Sequence, residues 1–306
     1  MSPNPAMRIV FFGVDGVLSL RAVGAIAADH EIVGVVRAAT GPKAFPPVSR
    51  PRGLLGAAVR ALGLRGAGSL ASVARACEVP MWDAEAGDDP KIAALVRGVR
   101  PDVICIAGYP WLLRGDIAAS PPALTLNVHA ALLPRHRGAL PLFWIYHADD
   151  RETGVTVHAV TERADAGDVL GQESYPLPRG YPVEELNRLN ADHGAQLLRR
   201  VLADVAGGRI TMMPQDEANA TLAPRVAAGS AMVDFTTWEV ERVWHFLAGL
   251  FPRFIEPLTT PDGAPMRYGG VLAYERSNTT HRPGTVTESS QGYDLHCLGG
   301  TVRLRR

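Results

Sequence analysis

Up to Gly208, short apolar runs closed by glycine or charge alternate with amphipathic stretches. Met7–Gly13 (MRIVFFG) and Glu31–Val36 (EIVGVV) are near-continuous apolar runs, the pattern of strands buried on both faces. Pro101–Ala107 (PDVICIA) and Ala123–His129 (ALTLNVH) repeat it, and Val79–Trp82 is a shorter strand. Between the runs, Ser19–Ala28, Ser69–Cys77, Lys91–Val96 and Leu140–His147 read as helices. Gly154–Thr161 (GVTVHAVT) alternates with period two, and Val183–Val205 is a long amphipathic helix stopped by Gly207 and Gly208. Strands alternating with helices predict an α/β fold, a Rossmann-like and mostly parallel sheet with helices on both faces.

After Gly208 the texture changes. Short strand-like pieces at Gly263–Tyr268, Gly270–Tyr274, Gly284–Thr287, Tyr293–Cys297 and Thr301–Leu304 follow one helix, Trp238–Leu247. They predict a smaller C-terminal β-rich domain, a barrel or sandwich. The expected division is 1–205 and 206–306. One segment resists the pattern: Ala38–Gly68 is rich in Pro, Gly and Arg, with a possible helix at Leu54–Leu62. Its Arg50, Arg52, Arg60 and Arg65 fit either a basic patch over a ligand or scattered charge on a solvated insertion.

Composition narrows the function classes. A chain of 306 residues with 47% hydrophobic and 20% charged positions can bury a sizeable core and is not disordered. Lys+Arg and Asp+Glu are both 31, so no net charge calls for nucleic acid or an anionic membrane. The balance is local too: residues 206–306 hold ten Arg, no Lys and ten acidic residues. Cys77, Cys105 and Cys297 are far apart and odd in number, which fits a reducing compartment rather than a disulfide framework or a zinc site. The apolar run Ile9–Val14 is too short for a signal peptide or a membrane span, so the cytoplasm is the expected location. Phe12–Gly16 follows the first strand, yet GxGxxG and GxxxxGK[ST] are both absent, which argues against nicotinamide or P-loop chemistry.

The chemistry concentrates between Asn127 and Gly171. Asn127 and His129 are two apart on one strand, so their side chains share a face. They lie at the carboxyl end of that strand, where open α/β sheets bind ligands. Asp165 lies in a turn (ADAGD) closing another strand. Singly, a histidine near a strand end is commonly structural and an aspartate in a turn is commonly a turn former. Jointly they are the parts for acyl transfer. The imidazole handles protons, the carboxylate stabilises imidazolium and raises its pKa, and the amide donates to a developing oxyanion. His147 and His158 fall outside this pattern and read as structural. His136 fits a ligand contact or an exposed loop.

These residues carry a likeness. Asn127, His129, Leu132, Leu133, Pro134, Arg137, Gly138 and Pro141, then Thr153–Thr156 (TGVT), then Asp165, Gly167 and Asp168 form a pattern that resembles the folate-dependent formyltransferase family. The resemblance extends over the whole chain, more loosely after residue 206. Ala131 stands where the family usually has serine, and Ala139 where the amino-arabinose enzymes carry arginine.

The resemblance implies that an amine attacks the formyl carbon of 10-formyltetrahydrofolate, with His129 moving the amine proton, Asn127 binding the oxyanion and Asp165 tuning His129. It implies an OB-like C-terminal domain, and a pterin lying against Trp111, Leu112 and Leu113 and against Thr161, Glu162, Arg163 and Ala164, over a floor of Leu132, Leu133 and Pro134. A nucleotide-linked amino sugar or another small amine is the expected acceptor, because a neutral C-terminal domain is a poor platform for tRNA phosphates. Local likenesses to the amino-arabinose enzyme, at Ser69–Ala76 (SLASVARA), Glu162–Asp168 (ERADAGD) and Pro214–Thr221 (PQDEANAT), point the same way. Initiator methionyl-tRNA, hydrolysis of 10-formyltetrahydrofolate, and a folate-binding protein with a decayed site are the competing readings.

Overall fold

A computed structural model describes residues 5–39, 68–87, 89–113, 115–118, 124–278, 280–290 and 292–306. The expected helix at Leu54–Leu62 and Arg50, Arg52, Arg60 and Arg65 lie outside the described residues.

Seven strands form one sheet: β1 (Arg8–Gly13), β2 (Glu31–Ala38), β3 (Met81–Ala84), β4 (Val103–Ala107), β5 (Leu124–His129), β6 (Glu152–Ala159) and β7 (Val169–Pro176). Their order is β3-β2-β1-β4-β5-β6-β7. The pairs β2/β3, β1/β2, β1/β4 and β4/β5 are parallel, whereas β6 runs antiparallel to β5. The helices are α1 (Val17–Asp29), α2 (Leu70–Cys77), α3 (Pro90–Val99), α4 (Gly115–Ala118), α5 (Pro141–His147), α6 (Val183–Ala206) and α7 (Val240–Leu250).

Alternation within β1 builds two apolar layers. Ile9 and Phe11 pack with α1, α2 and the Leu197–Leu202 part of α6, while Val10 and Phe12 pack with Ile92, Val96 and Ile117 of α3 and α4. All four strand residues have no exposed surface. Burying each is worth about 1.5–3 kcal/mol, so both faces of the sheet need a helical cover.

Local chemistry sets the ends. Ser69 caps α2 by accepting from the Ser72 amide, and Asp89 caps α3 ahead of Pro90. The third strand begins at Met81 rather than Val79 because Pro80 has no N–H for the ladder; its carbonyl still accepts from Val35. Strand β7 gives no apolar run in the sequence, since it is an edge strand bearing Gln172, Glu173 and Ser174.

The described residues pack as two units. One holds residues up to 139, 154–174 and 187–222; the other holds 140–153, 175–186 and 223–306. Packing thus assigns residues 206–222 to the first unit and the two inner segments to the second, a division that does not fall at 205/206. In the second unit, β10 (Gly270–Arg276), β13 (Gly300–Arg305), β12 (Gly292–Cys297) and β11 (Val286–Ser289) form an antiparallel sheet in that order. The stretch expected as a strand at Gly263–Tyr268 is a small hairpin of β8 (Leu258–Thr259) and β9 (Pro265–Met266), turning at Gly263 with φ +85°. Its helix α7 packs through an aromatic group in which Phe246 meets Phe143, Trp238 and Phe254. Among the described residues no helix is long and apolar enough to cross a membrane.

Candidate active site

Strand β5 ends in Asn127, Val128 and His129. Val128 turns to the apolar layer, and Asn127 and His129 turn to the opposite face. Antiparallel pairing then sets Asn127 across from His158 and His129 across from Thr156. The turn after β6 brings Asp165 to both. Its carboxylate lies 3.6 Å from His129 Nδ1 and 3.3 Å from His158 Nε2. It also accepts from Asn127 Nδ2 at 3.2 Å and from the Gly138 amide at 2.8 Å. The three residues expected to act together are in fact gathered, and His158, expected to be structural, is a fourth member. The sign that could have found it is period two in GVTVHAVT: Thr156 and His158 share the face opposite Val155 and Val157.

Hydrogen bonds constrain the protons. The His136 carbonyl can only accept, so His129 donates to it through Nε2 at 2.9 Å and presents Nδ1 to Asp165. His158 likewise donates from Nδ1 to the Ala159 carbonyl at 2.8 Å, which leaves Nε2 to accept from Asn127 Nδ2 at 3.0 Å. A neutral His129 therefore holds a bare Nδ1 beside a carboxylate, and protonation there completes an ion pair.

The carboxylate acts in the expected direction, against a larger opposing effect. Burial, at 5% exposure, lowers the His129 pKa; Asp165 works upward against it, and His158 reinforces the lowering. The net direction is down, so the carboxylate moderates a depressed imidazole rather than raising it above the ordinary value. For Asp165 burial opposes ionisation, but the adjoining His129 and His158 and the Gly138 amide outweigh it and hold the carboxyl well below the usual range.

The residues expected around a pterin are placed unevenly. Leu112 is 57% exposed beside half-buried Trp111, whereas Leu113 is buried among the α3 and α4 contacts. Gly87 lets the preceding loop approach: a Cβ there would lie 2.3 Å from the Leu112 carbonyl. Thr161, Glu162, Arg163 and Ala164 are exposed, and a Cβ on Gly115, the first residue of α4, would stand 3.6 Å from the Glu162 carboxylate. Arg163 is bonded to Glu217 at 3.0 Å. Of the floor residues, Leu133 is buried, and its main chain is held by Thr156 and Gln172. Leu132 packs over Gly154, where a Cβ would lie 2.5 Å from its methyl. Pro134 is half-buried, and its carbonyl accepts from the Thr221 amide.

Residues 54–202 match the formyl transferase family. Over 98% of this chain and 90% of its own length, a methionyl-tRNA formyltransferase from Roseiflexus castenholzii is 30% identical. The chain belongs to the folate-dependent formyltransferase family. Members are one-carbon transferases whose formyl donor is 10-formyltetrahydrofolate. Solved structures share the fold at low identity. The N-formyltransferase from Helicobacter canadensis, solved with folinic acid and dTDP-3-aminofucose, superposes with a TM-score of 0.68 at 10% identity over 99% of both chains. HypX from Aquifex aeolicus, solved with tetrahydrofolic acid, gives 0.63 at 16% identity, with 98% of this chain covering 44% of that one.

Proposed function

We propose that this formyltransferase moves the formyl group of 10-formyltetrahydrofolate to the primary amine of a small molecule, a nucleotide-linked amino sugar being the class that fits best. The donor supplies an activated formyl carbon. The Leu112 surface and the main chain of the two neighbouring loops suit a flat ring with an amide-like edge. The residues of the chain do the rest. His129, kept neutral by burial, accepts the amine proton at Nδ1 as the new C–N bond forms and returns it to the leaving nitrogen as the old C–N bond breaks. Asp165 beside Nδ1 stabilises the imidazolium in between. Asn127 releases one of its present acceptors, His158 Nε2 or Asp165 Oδ1, and donates that N–H to the formyl oxygen as it becomes an oxyanion.

The observation that carries the transfer reading is the meeting of His129, Asn127 and Asp165, with the Asn127 amide nitrogen and His129 Nδ1 both facing the Asp165 carboxylate. For the acceptor it is charge: ten Arg against ten acidic residues in 206–306 offer no field for tRNA phosphates. Methionyl-tRNA is the second reading, favoured by the 30% identity to the Roseiflexus castenholzii enzyme.

The test is a panel of nucleotide-linked amino sugars, hydroxyornithine, methionyl-tRNA and a no-amine control, read as tetrahydrofolate release. Turnover on a nucleotide-linked amino sugar supports the proposal. Preference for methionyl-tRNA, with affinity falling roughly 10³–10⁵-fold between 50 and 200 mM salt, overturns it, and release without any amine identifies a hydrolase.

A further inference from the structure

The Asp165 turn is held from outside the cluster described so far. Asp165 adopts φ +50°, a left-handed conformation that is strained for a non-glycine residue and persists where neighbours enforce it. Gly167 tightens the turn, because a Cβ there would lie 2.0 Å from the Ala159 carbonyl. Against this turn stands Gln215, a half-buried residue of the segment after α6. Its Nε2 donates to the Asp165 carbonyl at 2.8 Å and to the Gly167 carbonyl at 2.7 Å. Its Oε1 accepts from Arg137 Nε at 3.0 Å and Nη2 at 2.8 Å. Two donors and two acceptor positions are the full capacity of a side-chain amide.

Arg137 is itself 4% exposed and forks onto Glu217 at 3.1 and 3.0 Å. It sits between His136, whose carbonyl takes the His129 proton donor, and Gly138, whose amide binds the Asp165 carboxylate. The segment bearing Gln215 is pinned at both ends. Met213 and Val169 exchange two backbone bonds of 2.9 Å; at the other end the Thr221 carbonyl takes the Arg137 amide at 2.9 Å, and its hydroxyl takes the His136 amide at 2.8 Å. The two loops that carry the partners of His129 and Asp165 are thereby tied through one amide.

We propose that Gln215 is a positioning residue for formyl transfer, setting the separation of the Asp165 carboxylate from the His129 imidazole by bridging Arg137 to the carbonyls of Asp165 and Gly167. The inference rests on the reading of His129 and Asp165 as the proton-handling pair. Methionine in place of Gln215 keeps length and volume and removes all four bonds. Glutamate keeps the two acceptor bonds to Arg137, removes both donors and sets a charge against two carbonyl oxygens.

The experiment compares Gln215→Met and Gln215→Glu with the wild-type chain by kcat and KM on the best amine of the panel, and by NMR titration of the His129 imidazole, assigned with His129→Ala. Both variants are expected to lose about 10–100-fold in kcat with KM for the donor within about three-fold, since misplacement near 1 Å costs on this scale. The His129 midpoint should fall by about half a unit or more as the carboxylate withdraws. Burial and His158 continue to press it down, while the hydrogen bond to the His136 carbonyl pulls upward and the His136 ring downward. Whichever variant folds, by its thermal melt, decides the matter. Wild-type kcat together with an unmoved His129 midpoint overturns the role; a lowered Tm with both readouts unchanged makes Gln215 structural only, and also overturns it. The titration needs no turnover, so a wild-type chain inactive on every amine defeats the proposed function while the positioning role stays measurable.

Discussion

The two sheets of this molecule treat polarity in opposite ways. In the large sheet, β4 is buried at every residue and carries no charge. In the small one, β10 is exposed or half-buried at all but its first residue, and β13 alternates buried and open positions. Arg303 of β13 is charge-paired with Asp294 at 3.8 Å and with Glu275 at 3.9 Å, and all three side chains are at least partly exposed. Such pairs are worth about 0–1 kcal/mol. The large sheet admits polar side chains as His129, Thr156 and His158, 5%, 0% and 2% exposed, and each is bonded. A buried polar group is costly unless paired, and a paired one acts in a low dielectric where its field is strong. Chemistry is therefore expected where the apolar sheet tolerates polarity, and not where charge is abundant.

The largest test of that contrast is catalytic. His129→Ala and Asp165→Ala should each lower turnover by roughly 10²–10⁴-fold, while Arg303→Ala leaves it unchanged. Near wild-type turnover in either site variant would move proton handling to another group, His158 being the nearest.

A second test concerns stability. Phe11→Ala, at a position with no exposed surface, should cost about 3–5 kcal/mol by urea denaturation. Leu272→Ala on β10, 44% exposed, should stay within about 0.5 kcal/mol. Comparable costs would mean that the small sheet buries more in solution than its strand pattern shows.

The smallest effect is in pH. An unfolded histidine binds its proton near pH 6.5, whereas folded His129 does so only at lower pH. Below about pH 6.5 the unfolded chain therefore binds more protons, and this group's contribution makes the fold less stable as pH falls, until folded His129 itself titrates. Depressed Asp165 adds stability that is present above its unfolded pKa, near 3.9, and lost below it. The acid limb of kcat should lie below pH 6.5 and move lower still in Asp165→Asn, while Arg303→Ala leaves it in place. A limb at or above 6.5 would show that the carboxylate outweighs burial.

Much of this was legible in the residues. The apolar runs of β1, β2, β4 and β5 could serve only as strands covered on both sides, and Asn127, His129 and Asp165 carry the family's spacing. Period two puts His158 on the site face, but its place opposite Asn127 depends on the β5/β6 register, which the sequence does not show. Strand β7 was invisible because an edge strand can be polar and still pair along one side. The upward pull of Asp165 on His129 is legible in a sequence, because a carboxylate is visible there; the larger downward effect of burial is not.

Alternation, capping and glycine placement are short-range matters of backbone sterics and water avoidance, so the chain order alone sets the strands, the helices and the faces they bury. Which polar atoms meet is a matter of register and loop path between segments far apart in the chain. The antiparallel β5/β6 pairing set Asn127 against His158, and the return of the segment after α6 brought Gln215 to the Asp165 turn. Such contacts depend on through-space distance, which folding alone supplies.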